Sequence, residues 1–384
     1  MQRRTPFFIY LILIVSLTVS LGYLGWVRTW SLIYVPTMYP PFADMRVIQG
    51  AVASVEHGYN PRISNPGDLW RRPLNYPMLW VTIGKALNFS DESRFIMICT
   101  TLVLCFAGVC ASLILRFPSF ELLASLVSTA TLLGVERANI DLLIFCLLFP
   151  AAVWLPKLWS PIPLLLGTLL KLYPVFALGA LFIQRQYRLF AASLVATVAI
   201  FVSLWDQLAA IRLTTPTSCL ISYGIPSVGA CVEAFRLPFW QLAGTLAAIG
   251  AATLGLSYYF SKSDAVRPLQ GTAFNLILVG ASIYVGTFIF SANFDYRLIF
   301  LIFCIPFLQT RPFPLARMLI FVVLLAMNEL LITHWLKLSG LILVVFAKIA
   351  IFVVLSAYLV ALAWTAIGSL YARPKVGAAV GAQN

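Results

Sequence analysis

The feature of this sequence that most constrains its fold is a succession of long apolar stretches separated by short polar breaks. A helix needs about 20 predominantly apolar residues to cross the hydrocarbon core of a bilayer. Together the stretches occupy most of the 384 residues, which excludes a soluble domain carried by a single membrane anchor. They run approximately over 7–26, 74–90, 93–115, 118–135, 139–155, 160–183, 187–206, 238–260, 270–291, 297–310, 314–335 and 339–370. The sequence therefore predicts an all-α fold, a polytopic transmembrane helical bundle of roughly ten to twelve spans.

The content and placement of charge agree with this class. Only 10% of the residues are charged, whereas a soluble domain carries charge on about a quarter of its residues. The formal net charge is +13, but the basic residues are scattered between apolar stretches and form no basic run with interleaved aromatic residues. Scattered positive charge is typical of topology signals and of contact with anionic lipids. We therefore expect membrane lipids as partners and no nucleic acid.

The distribution of lysine and arginine among the loops predicts the orientation of the chain. When the long 27–73 segment is set aside, positive residues predominate in the loops that share a side with the N-terminus, so both termini are predicted to be cytoplasmic. Residues 1–372 are predicted to form a single domain with outer loops at 27–73 and 207–237. The Gly/Ala-rich tail over 373–384 is predicted to be disordered.

Two cysteines, Cys219 and Cys231, lie in the second of these outer loops. In an oxidising compartment such a pair can form a disulfide. Two unpaired thiols are equally compatible with the sequence, which leaves both states open.

The first outer loop has a helical pattern that begins near an acidic residue, Asp44. The apolar residues that recur at helical spacing are Met45, Ile48, Val52 and Val55. This pattern predicts a helix that lies in the membrane interface and ends at Gly58. An aspartate at a helix start is most often an N-cap, and the alternative is a functional carboxylate at the membrane surface.

Several charged residues lie within or beside the apolar stretches. Lys171 is predicted to lie in mid-span, where an isolated lysine costs about 2.5–3.5 kcal/mol and must face protein, water or an anion. A structural partner for it would be Glu136 or Asp141. The loop charges place these two carboxylates on the cytoplasmic side, away from Asp44. Lys85 and Lys348 are expected to extend toward an interface.

A second polar segment, Ser291–Arg297, separates two apolar stretches on the predicted outer side. One interpretation is a tight turn with an Asp/Arg pair. The other is a second part of a site that faces the first outer loop.

Short polar motifs recur at the ends of apolar stretches along most of the chain. They are Phe42-Ala43-Asp44, Gly58-Tyr59-Asn60-Pro61, Asn75-Tyr76-Pro77, Glu136-Arg137-Ala138-Asn139, Lys171-Leu172-Tyr173-Pro174 and Asn293-Phe294-Asp295-Tyr296-Arg297. An acidic residue in the first long outer loop, directly after the first membrane helix, is the pattern of GT-C-type glycosyltransferases. Within that superfamily the chain resembles glycosyltransferase family 87, the group that contains polyprenol-phosphate-mannose-dependent α-mannosyltransferases.

The sequence departs from the family pattern at three places. Arg62 stands where the family often has Tyr, and Met78 stands where a second Pro would follow Tyr76-Pro77. The first-loop motif has one Asp in place of the Asp-x-Asp pair of many GT-C enzymes. We therefore expect no metal and no cofactor.

The resemblance implies an activity at the outer face of a bacterial-type cytoplasmic membrane. A sugar, most simply a mannose-like hexose, would move from a polyprenyl-phosphate carrier to a lipid or polysaccharide acceptor with inversion of its anomeric configuration. Asp44 would act as general base on the acceptor hydroxyl. The leaving phosphate would need positive charge, which Arg and Lys side chains supply. The substrate-binding residues that the resemblance implies are Arg46, Tyr59, Asn60, Arg71, Arg72, Tyr76, Lys171, Asn293, Asp295, Tyr296 and Arg297.

Two other classes of function remain open on the sequence. A transporter or flippase of a lipid-linked or anionic substrate would use Lys171, Glu136 and Arg137 as a buried relay. A scaffold subunit would explain the hydrophobicity but not the Asp and Arg residues clustered at one face. The enzyme hypothesis accounts for more of the polar residues than either alternative.

Overall fold

The computed structural model describes residues 4–155, 157–234, 236, 238–263, 271–311 and 314–371. Over these residues the protein is built almost entirely from helices, which confirms the all-α prediction, and the single β-ladder that they contain is two residues long. The tail predicted to be disordered, 373–384, lies outside the described residues.

The first half of the chain consists of long and short helices in alternation. They are α1 (Thr5–Leu24), α2 (Trp26–Leu32), α3 (Ala43–Glu56), α4 (Leu79–Ala86), α5 (Glu92–Arg116), α6 (Phe120–Leu126), α7 (Thr129–Arg137), α8 (Ile140–Trp154) and α9 (Pro161–Lys171).

The second half adds the β-ladder and two 3₁₀ segments. Its elements are a 3₁₀ segment (Tyr173–Leu178), α10 (Gly179–Ile183), α11 (Tyr187–Ser203), α12 (Trp205–Thr214), β1 (Ser222–Tyr223), α13 (Ile225–Ala234), α14 (Phe239–Lys262), α15 (Thr272–Phe290), β2 (Asn293–Phe294), a second 3₁₀ segment (Asp295–Cys304), α16 (Ile305–Gln309), α17 (Pro314–Met327) and α18 (Glu329–Tyr371).

Among the described residues, α1, α5, α14, α15 and α18 are long and apolar enough to cross a membrane. The pair α11–α12, bent by 76° at Leu204, is a sixth candidate if both helices form one span. These helices bury their side chains to different extents. In the most apolar part of α15, 78% of the residues are buried, against 6% in α1 and in α14. Since α1 and α14 turn apolar side chains outward, they have the composition expected of a surface that contacts lipid tails.

The centre of the bundle is an aromatic core formed by α8 and the 3₁₀ segments. Phe145 stacks on Phe303 with 4.3 Å between ring centroids, and Tyr173 meets the edge of Phe300 at 5.6 Å. Against this core α15 packs so closely that a Cβ at Gly280 would lie 2.5 Å from the Phe300 carbonyl oxygen. The core therefore fixes α8, the Tyr173 segment and the Asp295 segment relative to one another.

The structure corrects the prediction of a spanning helix over 74–90. Here the chain forms only the short helix α4, which ends at Ala86 and is followed by Asn88 in a left-handed conformation with φ of 54°. It packs against α3 at Gly84, where a Cβ would lie 2.7 Å from Val52 Cγ2. Glu92 at the start of α5 then pairs with Arg46 of α3 at 2.6 Å. The apolar residues of 74–90 thus cover α3 instead of crossing the bundle.

Other predicted spans are broken as well, among them 118–135 and 160–183. The stretch 118–135 is divided into α6 and α7, because Ser128 has an extended backbone and its hydroxyl caps α7 by accepting from Thr131 N. The stretch 160–183 is divided at Leu172, which has φ of 51° and is followed by Tyr173-Pro174. Pro174 has no N–H to donate to the Leu170 carbonyl oxygen, which accepts from Trp80 Nε1 instead, so the α-helical hydrogen bonding cannot continue. Lys171 is consequently the last residue of α9.

The helix predicted in the first outer loop is confirmed as α3, within two residues of the expected end. Its apolar positions Met45, Ile48 and Val52 are buried against α4 and the rest of the core. The irregular segment after it returns to α3, where Asn65 accepts from Ser54 Oγ at 2.8 Å. The following segment, 66–78, then runs back to the start of α3, where Arg72 Nη2 donates to the Ala43 carbonyl oxygen at 2.6 Å.

A disulfide links Cys219 and Cys231, the pair for which the sequence left both states open. It closes the segment that carries β1, and β1 pairs antiparallel with β2, with Ser222 opposite Phe294 and Tyr223 opposite Asn293. The disulfide-closed segment is thereby attached to the polar segment that ends at Arg297.

Loss of this disulfide is expected to destabilise the protein moderately. In the Cys219→Ser/Cys231→Ser variant we expect the free energy of unfolding to fall by roughly 2–3 kcal/mol, because a cross-link over a short loop restricts the unfolded chain. Thermal unfolding in detergent, with and without reductant, measures the effect. Cys105→Ser, at an exposed free cysteine, is the control. Equal midpoints for the double variant and the parent under oxidising conditions would contradict the prediction.

Candidate active site

Asp44 lies in the first turn of α3, where a negative side chain is favoured by the helix dipole. The N-cap is Phe42 with φ of 68°, so the capping role expected as the most frequent one is wrong. Asn139 Nδ2 donates to Asp44 Oδ2 at 2.6 Å, and Arg72 Nη1 lies 3.6 Å from Oδ1. The Asp44 side chain keeps 16% of its surface exposed. Its carboxylate is thus bound by a neutral amide and stands at a looser distance from a cation.

Asn139 connects Asp44 to the first turn of α8. It is the N-cap of that helix, and its Oδ1 accepts from Asp141 N at 2.9 Å. The same oxygen accepts from Lys171 Nζ at 3.1 Å. One fully buried side chain therefore contacts both the carboxylate of α3 and the ammonium group at the end of α9.

Asp141 is the centre of the buried charges. Its Oδ1 accepts from Lys171 Nζ at 2.6 Å and from Tyr173 OH at 2.7 Å, and its Oδ2 accepts from Arg297 Nε at 3.2 Å. The side chain is 1% exposed. The structure confirms Asp141 as the partner of Lys171. Because two cations share one carboxylate, this part of the site carries an excess of positive charge.

Arg297 is oriented by its own segment and by an aromatic ring. Its Nη1 donates to Asn293 Oδ1, and its guanidinium lies over the ring of Tyr173 at 4.5 Å. Asn293 is in turn fixed by donating to Thr287 O at 2.8 Å, at the end of α15. A guanidinium that is bound on one side and stacked on a ring is pre-organised to bind an anion with its remaining N–H groups.

Two tyrosine rings flank the ammonium group of Lys171. Its Nζ lies 5.2 Å from the ring centroid of Tyr76 and 5.8 Å from that of Tyr296. Tyr76 is buried, and burial raises the pKa of its hydroxyl well above the ordinary value. It therefore stays neutral at physiological pH and can act as a hydrogen-bond donor. Trp80 donates from Nε1 to Leu170 O at 3.0 Å and holds this segment against α9.

Arg72 forms the wall of the site next to α3. Its Nη2 donates to Asp68 Oδ1 at 2.9 Å and to Ala43 O at 2.6 Å, and its guanidinium lies 4.5 Å from the centroid of the Trp70 ring. Asp68 is buried and holds the guanidinium in place. Nη1 is directed toward Asp44 at the longer distance.

The expected separation of Glu136 and its neighbours from Asp44 is wrong. Glu136 Oε1 accepts from Met38 N at 2.9 Å and from Trp26 Nε1 at 3.3 Å, so it binds the segment that leads into α3. The error follows from α4: because 74–90 does not run through the bundle, α5 begins at the Asp44 end and α7 returns to it.

At the end of the bundle opposite Asp44, two hydrogen bonds connect other helices. Arg116 at the end of α5 donates to Thr272 Oγ1 at the start of α15 at 2.8 Å. Gln309 donates to Glu121 Oε2 in α6 at 2.8 Å. The helices α5, α6–α7 and α15 therefore each run between this end and the Asp44 end.

Five residues that the resemblance implied in substrate binding lie apart from the Asp44 cluster. Arg46 is buried in an ion pair with Glu92. Tyr59 and Asn60 are exposed in the turn after α3, and Arg71 is exposed at a left-handed position with φ of 53°. The fifth is Asp295, whose carboxylate points away from Arg297.

Asp295 belongs to a second buried charged cluster. Lys348 Nζ donates to Asp295 Oδ1 at 2.6 Å, to Ser222 O at 2.9 Å and to Glu329 Oε2. Lys348 is 2% exposed, so the expectation that it extends toward an interface is wrong. Its two carboxylate partners supply the reason, since they keep the ammonium group inside the protein. Lys85, in contrast, is exposed on α4.

Three residues at the centre of the site were absent from the implied set. Asn139 and Tyr173 lie inside motifs that carried the resemblance, and Asp141 was considered only as a structural partner of Lys171. The available signal was the density of polar residues in Glu136–Asp141 beside two apolar stretches. Because the loop charges place this segment on the cytoplasmic side, the sequence does not predict its contact with Asp44.

Within the described part of the chain, no group of three or more His, Cys, Asp and Glu residues is placed to hold a metal ion. The polar residues that converge on Asp44 are instead amide, guanidinium, ammonium and phenol groups. No family model, no curated protein and no solved structure matches this chain.

Proposed function

We propose that this protein is a membrane glycosyltransferase. It transfers a sugar from a polyprenyl-phosphate carrier to a hydroxyl group of a lipid or polysaccharide acceptor. The observation that carries the proposal is the chain of hydrogen bonds from Asp44 through Asn139 to Lys171, and through Asp141 to Arg297. A carboxylate able to accept a proton thus stands beside cations able to receive an anion.

Asp44 is the general base. Its Oδ1 takes the proton of the acceptor hydroxyl while the hydroxyl oxygen forms a bond to the anomeric carbon of the sugar. The bond between that carbon and the phosphate oxygen breaks, and the electron pair leaves with the phosphate. Attack from the side opposite to the leaving group inverts the anomeric configuration.

The cations stabilise the leaving polyprenyl phosphate. Lys171 and Arg297 share only Asp141, so their excess charge is available to an anion. A phosphate that gains charge in the transition state is stabilised most where water is scarce. The side chains of Lys171 and Arg297 are 9% and 12% exposed, which suits this role. Tyr76 and Tyr296 provide ring faces and hydroxyl groups for the sugar.

The proposal includes a transmembrane helical bundle with the Asp44 end at the extracytoplasmic side of the membrane. The long apolar helices support a membrane setting. The Cys219–Cys231 disulfide supports the side, because disulfides persist in oxidising compartments and this one closes the segment paired with β2. The apolar surfaces of α1 and α14 supply area for contact with the polyprenyl chain and with bulk lipid.

Reconstituted protein tests the proposal directly. Proteoliposomes are given polyprenyl-phosphate mannose and a membrane lipid extract, and released polyprenyl phosphate and mannosylated product are followed by mass spectrometry. We expect the two products in equal amounts, and none in protein-free liposomes. Passage of intact donor across the bilayer with no new glycosidic bond would instead identify a flippase and overturn the proposal. The same assay with other hexosyl donors defines the sugar.

A further inference from the structure

The side chain of Asn139 lies between Asp44 and Lys171. Its amide nitrogen lies 2.6 Å from Asp44 Oδ2, and its amide oxygen lies 3.1 Å from Lys171 Nζ. Asn139 is completely buried. Its surroundings therefore decide which way the amide points, with no contribution from bulk water.

The chemistry of the three neighbours allows a single orientation of this amide. The nitrogen donates to a carboxylate, which only accepts, and the oxygen accepts from an ammonium group and from Asp141 N, which only donate. The reversed amide would set oxygen against carboxylate oxygen and N–H groups against N–H groups. The Asn139 amide is consequently fixed in this one orientation.

We propose that Asn139 is a positioning residue that keeps the general base and the phosphate-binding cation apart while it orients both. This inference rests on the proposed glycosyltransferase function. Without the interposed amide, Asp44 and Lys171 would approach each other and form a direct ion pair. That pair would hold the Asp44 carboxylate as an anion, make it a weaker base and engage the charge meant for the leaving phosphate.

The amide also decides which oxygen of Asp44 acts on the acceptor. Since Oδ2 is bound to Asn139 and Oδ1 stands 3.6 Å from the nearest cationic nitrogen, of Arg72, Oδ1 is the oxygen left for the acceptor hydroxyl. The hydrogen bond to Oδ2 fixes the rotation of the carboxylate. A misplacement of about 1 Å in such a group can cost roughly 100-fold in rate.

Two variants of Asn139 keep its N-cap function and remove its donor. Asn139→Ser leaves an oxygen that can cap α8 but cannot reach Asp44. In this variant we expect kcat to fall by about 10–100-fold, with a much smaller change in KM for the donor. Asn139→Asp is isosteric and retains both the cap and the acceptor for Lys171. It places a second carboxylate against Asp44 Oδ2.

The pH profile of the Asn139→Asp variant distinguishes positioning from a merely structural role. A second negative charge disfavours the ionised carboxylate that must act as base. The acid limb of the kcat/KM profile is therefore expected to move upward by about one pH unit or more. Ser119→Asp is the matched control, since it adds a carboxylate at the N-cap of α6, at the other end of the bundle. Its acid limb should coincide with that of the parent.

The outcomes separate this inference from the proposed function. If Asp44→Asn abolishes transfer while both Asn139 variants keep the kcat and the acid limb of the parent, the positioning role is overturned and the enzyme assignment stands. If Asp44→Asn itself retains full transfer, the assignment of the base fails, and the Asn139 inference falls with it. A shifted acid limb in Asn139→Asp, absent in Ser119→Asp, supports the inference.

Discussion

Replacement of Asp44 by asparagine is expected to lower sugar transfer by about 10²–10⁴-fold, the usual contribution of a positioned general base. An asparagine has the same shape, and its amide oxygen can still accept the hydrogen bond from Asn139. It cannot take a proton from the acceptor hydroxyl. The loss should therefore appear in kcat, with little change in the binding of the donor. Release of polyprenyl phosphate from labelled donor measures it.

Two further variants are needed to interpret the activity of Asp44→Asn. Asp44→Ala removes the hydrogen bond as well and should lose at least as much activity. Asp91→Asn is the matched control, because Asp91 caps α5 through its side chain and asparagine caps equally well. Its activity should equal that of the parent. If both Asp44 variants fold and keep full transfer, Asp44 is not the base.

The sequence predicted the local parts of this architecture. Helical spacing in the first outer loop identified α3, and a buried lysine required a counter-charge, which Asp141 provides. These features depend on residues close in the chain or on the high cost of an unpaired charge. The density of polar residues in 136–141 is also evident in the sequence, although the loop charges assign this segment to the wrong end of the bundle.

The hydropathy of the sequence does not predict which apolar stretches cross the bundle. The stretch 74–90 contains enough apolar residues to be interpreted as a spanning helix, but it covers α3 with a short helix that has Gly84 at the contact. Whether an apolar stretch crosses the bundle or lies on another helix depends on tertiary packing. One such error changed the end assigned to every following segment up to α9.

The sequence also does not predict which charged residues pair with one another. Asp295 and Arg297 are two residues apart, yet one pairs with Lys348 and the other with Asp141. The 3₁₀ geometry of Asp295–Cys304 directs these side chains to different neighbours. The separation of Arg46 from Asp44 has a similar origin, since its partner Glu92 arrives from another helix.

Lys348→Met is expected to cause a large loss of stability. Lys348 is the shared cation of Asp295 and Glu329, both buried. Removal of one partner of a buried ion pair costs about 3–5 kcal/mol, because the remaining charge is uncompensated. Thermal unfolding in detergent measures the loss. Lys85→Met, at an exposed lysine of α4, is the control and should leave the midpoint unchanged within a degree or so.

A combined variant tests whether the uncompensated carboxylates are the cause. Adding Asp295→Asn and Glu329→Gln to Lys348→Met removes the charges but keeps an acceptor for Ile221 N, which Glu329 binds at 2.8 Å. Since a neutral replacement of a buried ion pair is often tolerated, we expect the triple variant to recover most of the lost stability. An unfolding midpoint as low as that of Lys348→Met alone would refute electrostatic compensation as the role of this cluster.

Lys348→Met and the triple variant also test whether the Lys348 cluster affects sugar transfer. Lys348 also binds Ser222 O in β1, and β1 pairs with β2, which contains Asn293, the partner of Arg297. Lys348→Met should therefore lower transfer along with stability, through displacement of Arg297 from Asp141. In the triple variant, recovery of stability without recovery of transfer would show that Lys348 holds the strand pair in register through its bond to Ser222. Recovery of both would mean that charge balance alone keeps Arg297 in place.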